Sequence, residues 1–312
     1  MSMGPGTTAP AAAGRSEDTA FTRMVVAAPD GLRLNVRSYG PRLAPALPVV
    51  CLPGLTRTAA DFHPLAIALA GDPAEPRRVL ALDYRGRGES EYDRNPENYI
   101  LAVELADLSA VLIALDIPRA VFVGTSRGGL LAMMLAAARP TAIAGVALND
   151  IGPVIEAKGL MRIKSYVGKL PTPASFADGA EILRRLFAAQ FPRLGDADWL
   201  ATARRTWREQ DGGLVATYDP KLAHALAAVD PDNPLPPMWP QFDALANVPL
   251  MVIRGANSDL LSPATVEAMR ARRREMTVLE VPDQGHAPLL AEPETIARIA
   301  DFLAACTAQS DP

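Results

Sequence analysis

The most constraining stretch of this chain is Ala120–Leu130, in which an apolar run, Ala-Val-Phe-Val, passes through Gly124-Thr-Ser126-Arg-Gly128-Gly129 into an Ala/Leu-rich segment. An apolar run reads as a buried strand and the Ala/Leu segment as a core helix over Leu130–Ala138, so Gly-x-Ser-x-Gly forms the turn between them. A turn this sharp strains the serine backbone and tolerates only small neighbours, which Gly124 and Gly128 supply. It lifts the Ser126 hydroxyl above the edge of a sheet, at a helix N-terminus that favours developing negative charge.

Around this segment, short apolar runs alternate with helical patterns. Thr22–Ala27 and Leu32–Tyr39 read as a hairpin about Pro29-Asp30-Gly31, followed by strands at Val49–Leu52, Val79–Asp83, Val121–Gly124, Ile143–Leu148, Leu250–Arg254 and Thr277–Val281. Helical stretches fall near Phe62–Ala70, Ala102–Leu115, Pro263–Arg274 and Glu292–Ala305. Alternation of this kind predicts an α/β fold, a mostly parallel eight-stranded sheet with helices on both faces. The rhythm breaks between about Gly152 and Pro240, where strand-like runs disappear and helical stretches such as Glu181–Gln190 and Trp199–Glu209 follow one another. The expected organisation is a flexible tail over 1–20, a core over 21–151 and 241–312, and an inserted helical cap over 152–240.

Composition narrows the partners. Thirty-one Lys and Arg are interspersed with thirty-five Asp and Glu, for a net charge of -4, so no basic stripe tracks a phosphate backbone or an anionic membrane. Nucleic acid is not an expected partner. No apolar run reaches the roughly 18 residues that span a bilayer, and the N-terminus lacks the pattern of a signal peptide, so a cytoplasmic location is expected. Cys51 and Cys306 lack metal-ligand or disulfide-framework spacing and read as buried thiols. No metal or organic cofactor is implied.

A serine hydroxyl is a weak nucleophile without a base, and only three histidines are available. His286 follows the last strand in Gln284-Gly-His-Ala-Pro288 and is the expected general base; His63 and His224 read as packing or surface residues. The acid that would orient the base is expected to be Asp259, directly after Leu250–Arg254, in preference to Asp150 after Ile143–Leu148.

Beside the Ser126 segment, the stretches LPGLTRTAADF (52–62), DYRGRGES (83–90), RGANSDLLSP (254–263) and QGHAPLLAEPE (284–294) resemble those of the α/β-hydrolase fold, in its capped serine hydrolase and esterase form. The resemblance runs from Phe21 to Ala305. It implies the order Ser, Asp, His for the triad and an oxyanion hole built from the backbone N–H groups of Arg127 and Leu55. It further implies that Arg85 and Gly86 shape a turn beside the active site. Serine at the nucleophile position argues against the haloalkane dehalogenases and epoxide hydrolases of this fold, which use aspartate there. The expected activity is cleavage of a carboxylic ester through an acyl-enzyme, with a small-molecule ester as the partner. A lactonase or carbon–carbon bond hydrolase, and a ligand receptor that keeps the fold, are the alternatives.

Two expectations concern the pocket. Arg127, where such enzymes commonly carry an apolar residue or Gln, is expected either to hold an acidic substrate or to pair with Asp150. The aromatics of the insertion, Trp199, Trp207, Trp239 and Tyr166 with Phe176, Phe187, Phe191 and Tyr218, are expected to line an apolar pocket or to pack the cap.

Overall fold

The computed structural model describes residues 20–227, 229–230 and 235–309, and the statements below concern these. The expected tail, 1–20, lies outside them except for Ala20. β1 (Thr22–Ala27) and β2 (Arg33–Tyr39) form the antiparallel hairpin, and Gly31 at φ 89° takes the left-handed turn position. Six further strands follow: β3 (Val49–Leu52), β4 (Val79–Leu82), β5 (Ala120–Thr125), β6 (Ile143–Asn149), β9 (Leu250–Gly255) and β10 (Thr277–Val281). They order as β1-β2-β4-β3-β5-β6-β9-β10, parallel throughout except where β2 meets β1 and β4. This is the eight-stranded, mostly parallel sheet expected of the α/β-hydrolase fold.

The central strands are apolar along nearly their whole length because both faces of the sheet are covered. Val50, Leu52, Phe122, Val146 and Leu148 belong to one core, whose helices include α2 (Leu101–Ala114), α3 (Arg127–Ala138) and α8 (Pro263–Arg272). The alternate residues Val49, Cys51, Val121, Val123 and Ala147 face a second core with α1 (His63–Ala70) and α9 (Pro293–Ala308).

Register lines up the carboxyl ends of the strands. Leu52 pairs with Gly124, Thr125 with Asn149, Asn149 with Ile253, and Gly255 with Val281. The loops carrying residues 53–57, Ser126, Asp150, 256–262 and 282–290 therefore leave from one edge of the sheet.

Between β6 and β9 run α4 (Ala157–Tyr166), α5 (Phe176–Phe187), α6 (Asp196–Thr206), the strands β7 (Trp207–Gln210) and β8 (Gly213–Ala216), and α7 (Trp239–Asp243). The β7–β8 hairpin corrects the expectation of an insertion without strands. Its signal was Asp211-Gly212, both at positive φ (51° and 80°), the dipeptide that suits a tight hairpin whose turn twists with its strands. The hairpin also ends the expected Trp199–Glu209 helix early, at Thr206. Ala180, Leu183, Phe191, Trp199, Ala203, Trp207 and Leu214 give the insertion its own small core.

Candidate functional site

Ser126 sits at φ 50°, ψ -114° between β5 and α3, a strained conformation for a residue with a side chain. The flanking glycines permit it. A Cβ on Gly128 would lie 2.1 Å from the Leu52 carbonyl oxygen, and one on Gly124 would lie 2.6 Å from the Gly128 backbone.

Above the elbow, the His286 ring bridges two partners: Nε2 is 2.9 Å from Ser126 Oγ and Nδ1 is 2.8 Å from Asp150 Oδ2. Asp150 is buried, and its carboxylate also accepts the Gly255 N–H (2.8 Å, to Oδ1) and the Ser258 hydroxyl. A carboxylate surrounded by donors accepts the Nδ1 proton, which leaves Nε2 bare to accept from the serine. Asn149 steadies the arrangement by donating to Thr125 Oγ1 at 3.0 Å and to the Pro288 carbonyl at 2.9 Å.

Asp259, the acid expected from sequence, does not meet His286. Its carboxylate is gripped by both arms of the Arg162 guanidinium on α4, at 2.7 and 2.8 Å. Strand order explains the correction. β6 neighbours β5 directly, so Asp150 emerges one strand from the serine, whereas Asp259 emerges two strands away and faces the insertion. From the β9 loop it is Ser258, not Asp259, that reaches Asp150. Burial opposes ionisation of Asp259, but the Arg162 guanidinium outweighs it and holds the carboxyl below its ordinary range.

Arg127 also departs from expectation. Its side chain donates from Nε to Glu104 at 2.6 Å and from Nη2 to the Tyr99 carbonyl at 3.1 Å; it does not pair with Asp150 and does not line the cleft. Glu104 is wholly buried and its other oxygen takes Arg87 Nη1 at 2.7 Å, while Arg87 Nε donates to the Leu55 carbonyl at 2.8 Å. One ion network thus ties the Leu55 loop to the start of α3. The backbone N–H groups of Leu55 and Arg127 make no hydrogen bond to other described residues. The neighbouring Arg85 is buried and paired through both arms with Asp107 at 2.7 Å.

A cleft opens on Ser126 and His286 between the sheet edge and the insertion. Leu55, Ile163, Tyr166, Leu170, Leu183, Phe187, Phe191, Trp199, Tyr218 and Leu289 give it an apolar wall, and Thr202 and Thr206 a polar stripe. Of the aromatics expected there, Tyr166, Phe187, Phe191, Trp199 and Tyr218 line it, whereas Phe176 lies under Arg204 (4.8 Å) and does not. Trp207 does not: it is buried in the insertion's core against Gly179. Trp239 packs edge-on against Phe242 (5.7 Å) and under Arg272 (4.3 Å), outside the cleft. Arg57, which no motif or spacing along the sequence singles out, also lines the cleft. His63 meets the Tyr39 hydroxyl at 3.1 Å, and His224 is exposed near Glu97, both away from the serine.

The sequence profile of the Alpha/beta hydrolase family matches residues 49–299. A 3-hydroxybutyrate-oligomer hydrolase from Cupriavidus necator is 34% identical, with 88% of this chain and 94% of that protein aligned. A 2-(acetamidomethylene)succinate hydrolase from Mesorhizobium japonicum is 26% identical, over 87% of this chain and 92% of that one. Among solved structures, an alpha/beta hydrolase from Novosphingobium aromaticivorans superposes with a TM-score of 0.84 at 42% identity, covering 91% of this chain and 98% of the other.

Proposed function

Given that the chain belongs to the Alpha/beta hydrolase family, we propose that it cleaves a carboxylic ester through an acyl-enzyme on Ser126. The observation that carries this reading is the continuous relay from Ser126 Oγ through His286 to Asp150. His286 Nε2 takes the serine proton as Oγ attacks the ester carbonyl carbon. The resulting oxyanion faces the amides of Leu55 and Arg127, each such donor contributing about 3 kcal/mol to the transition state. Collapse of the tetrahedral intermediate breaks the bond to the alcohol oxygen, which leaves with the proton held on His286. A water then repeats the sequence: His286 takes its proton, its oxygen attacks the acyl carbon, and Ser126 Oγ departs reprotonated, releasing the acid.

The segment 152–240 acts as a cap whose apolar wall receives the substrate's carbon skeleton. Similarity to the 3-hydroxybutyrate-oligomer hydrolase supports short hydroxyacid oligoesters as the substrate class.

The test is steady-state hydrolysis of 3-hydroxybutyrate dimer and trimer and of a short aryl ester, by wild type and by Ser126→Ala, with mass spectrometry for a covalent acyl adduct. Wild type should turn over many equivalents, and the variant should fall by several orders of magnitude and form no adduct. Retention of more than about one per cent of the activity would remove Ser126 as the nucleophile.

A further inference from the structure

In a side cleft next to the one that holds Ser126, two guanidinium groups share a single carboxylate. Arg57 follows the Leu55 loop and Arg205 lies near the end of α6; both face Asp61, at 3.0 Å from Arg57 Nη1 and 3.4 Å from Arg205 Nε to the same oxygen, Oδ1. Asp61 is itself constrained, because its Oδ2 accepts the Thr58 N–H at 2.9 Å in a capping box that starts the turn Ala59–Phe62. Arg205 Nε is buried without a properly directed acceptor, and its Nη2 donates to Thr202 Oγ1 at 3.1 Å.

Arg57 joins these groups to the catalytic cleft. Arg57 lines both the main cleft and a smaller side cleft that contains Arg205 and Asp61. A Cβ built on Gly54 would touch Arg57 Cγ at 3.4 Å and Ser126 Cβ at 3.7 Å, so both side chains flank one glycine. Among the described residues lining either cleft, Asp61 is the only carboxylate. Two fixed cations against one anion leave an excess positive charge along the clefts, in a partly desolvated place where a guanidinium binds a carboxylate strongly and with direction.

We propose that Arg57, supported by Arg205, forms a carboxylate-binding subsite that selects esters carrying a free acid group close to the scissile bond. In a hydroxyacid oligoester whose last linkage is cleaved, the terminal carboxylate stands two carbons from the ester oxygen, and Arg57 flanks the same glycine as Ser126. The uncharged remainder of the chain then lies along the apolar wall of the insertion. The subsite explains how a cleft with apolar walls accepts a charged substrate while Arg127 is committed to Glu104. This inference rests on the esterase reading for the identity of its substrate.

The experiment compares 3-hydroxybutyrate dimer with its terminal methylamide, which has the same skeleton and no charge. In wild type the acid should exceed the amide in kcat/KM by tenfold or more. In Arg57→Met that ratio should collapse toward one, with Arg57→Lys intermediate and Arg205→Met lowering it less. Calorimetric binding of the same two compounds to Ser126→Ala, with and without Arg57→Met, reads the subsite without turnover. There the acid should lose at least tenfold in affinity and the amide less than threefold. Failure of wild type to hydrolyse any ester would overturn the esterase reading and leave the binding comparison to decide the subsite. If acid and amide respond alike to Arg57→Met and to Arg205→Met in the binding comparison, with thermal melts showing both variants folded, the subsite does not exist.

Discussion

At the residue scale, the decisive comparison is between two aspartates that follow neighbouring strands. Asp150 bonds His286 Nδ1, whereas Asp259 bonds Arg162. An asparagine at 150 would offer an N–H where the ring needs an acceptor, driving the imidazole to the tautomer that cannot take the serine proton. Asp150→Asn should therefore lower kcat roughly 10⁴-fold with KM little changed, and activity should recover partly at high pH as hydroxide replaces the missing base. Asp259→Asn should leave kcat within about tenfold of wild type, because its partner lies on α4. Ester assays across pH on both variants separate the two residues; a larger loss in Asp259→Asn would refute the assignment. Arg127 makes the same point. Its identity is unusual for the position, and its explanation is a buried carboxylate 23 residues earlier.

At the scale of elements, the insertion is held to the sheet edge by a link that acid should loosen. α4 presents Arg162 to Asp259, and the Gly159 N–H donates to the Asp259 carbonyl at 3.1 Å, so the β9 loop grips the helix through side chain and backbone together. Because the folded-state pKa of Asp259 is depressed, the ion pair contributes its full stability above the ordinary carboxylate range and loses it as pH falls through the folded value. Arg162→Met should cost about 1 to 3 kcal/mol at pH 7. The deficit should shrink as pH approaches 3, measured by urea unfolding of the two proteins at several pH values. A deficit independent of pH would show that the loss comes from packing of the arginine stem.

Over the whole molecule, the buried network Arg87–Glu104–Arg127 joins the loop after β3, the helix α2 and the elbow helix α3. Burial opposes ionisation of Glu104, yet Arg87 and Arg127 outweigh it and hold the carboxyl below its ordinary range. Removing the anion leaves two cations facing each other beneath the site. Glu104→Gln should destabilise the fold by about 3 kcal/mol or more near neutral pH. Since the pKa is depressed, the stability contributed by the ionised group is present above the ordinary range and lost in acid, so the difference from wild type should narrow as pH falls. Thermal melts at pH 7 and pH 4 check both the size and the direction; a gap that widens in acid would contradict the sign.

Much of this protein was legible in the order of its residues, for reasons that are local. Apolar runs of four to seven residues closed by Gly, Pro and Asp disclose buried strands, and Gly-Thr-Ser-Arg-Gly allows one backbone path between strand and helix. That Ser126 and His286 would meet was legible because the turn is self-contained and histidines are few. The Asp211-Gly212 hairpin was equally local, although it lay within helical surroundings that obscured it. What tertiary structure alone decided were the pairings across long separations. Strand order sets Asp150, and not Asp259, beside the ring; the face that α3 turns inward carries Arg127 to Glu104; and the path of α6 brings Arg205 to Asp61 across 144 positions of chain. No period or spacing along the chain encodes such contacts, because each depends on which elements become neighbours when the two faces of the sheet are buried.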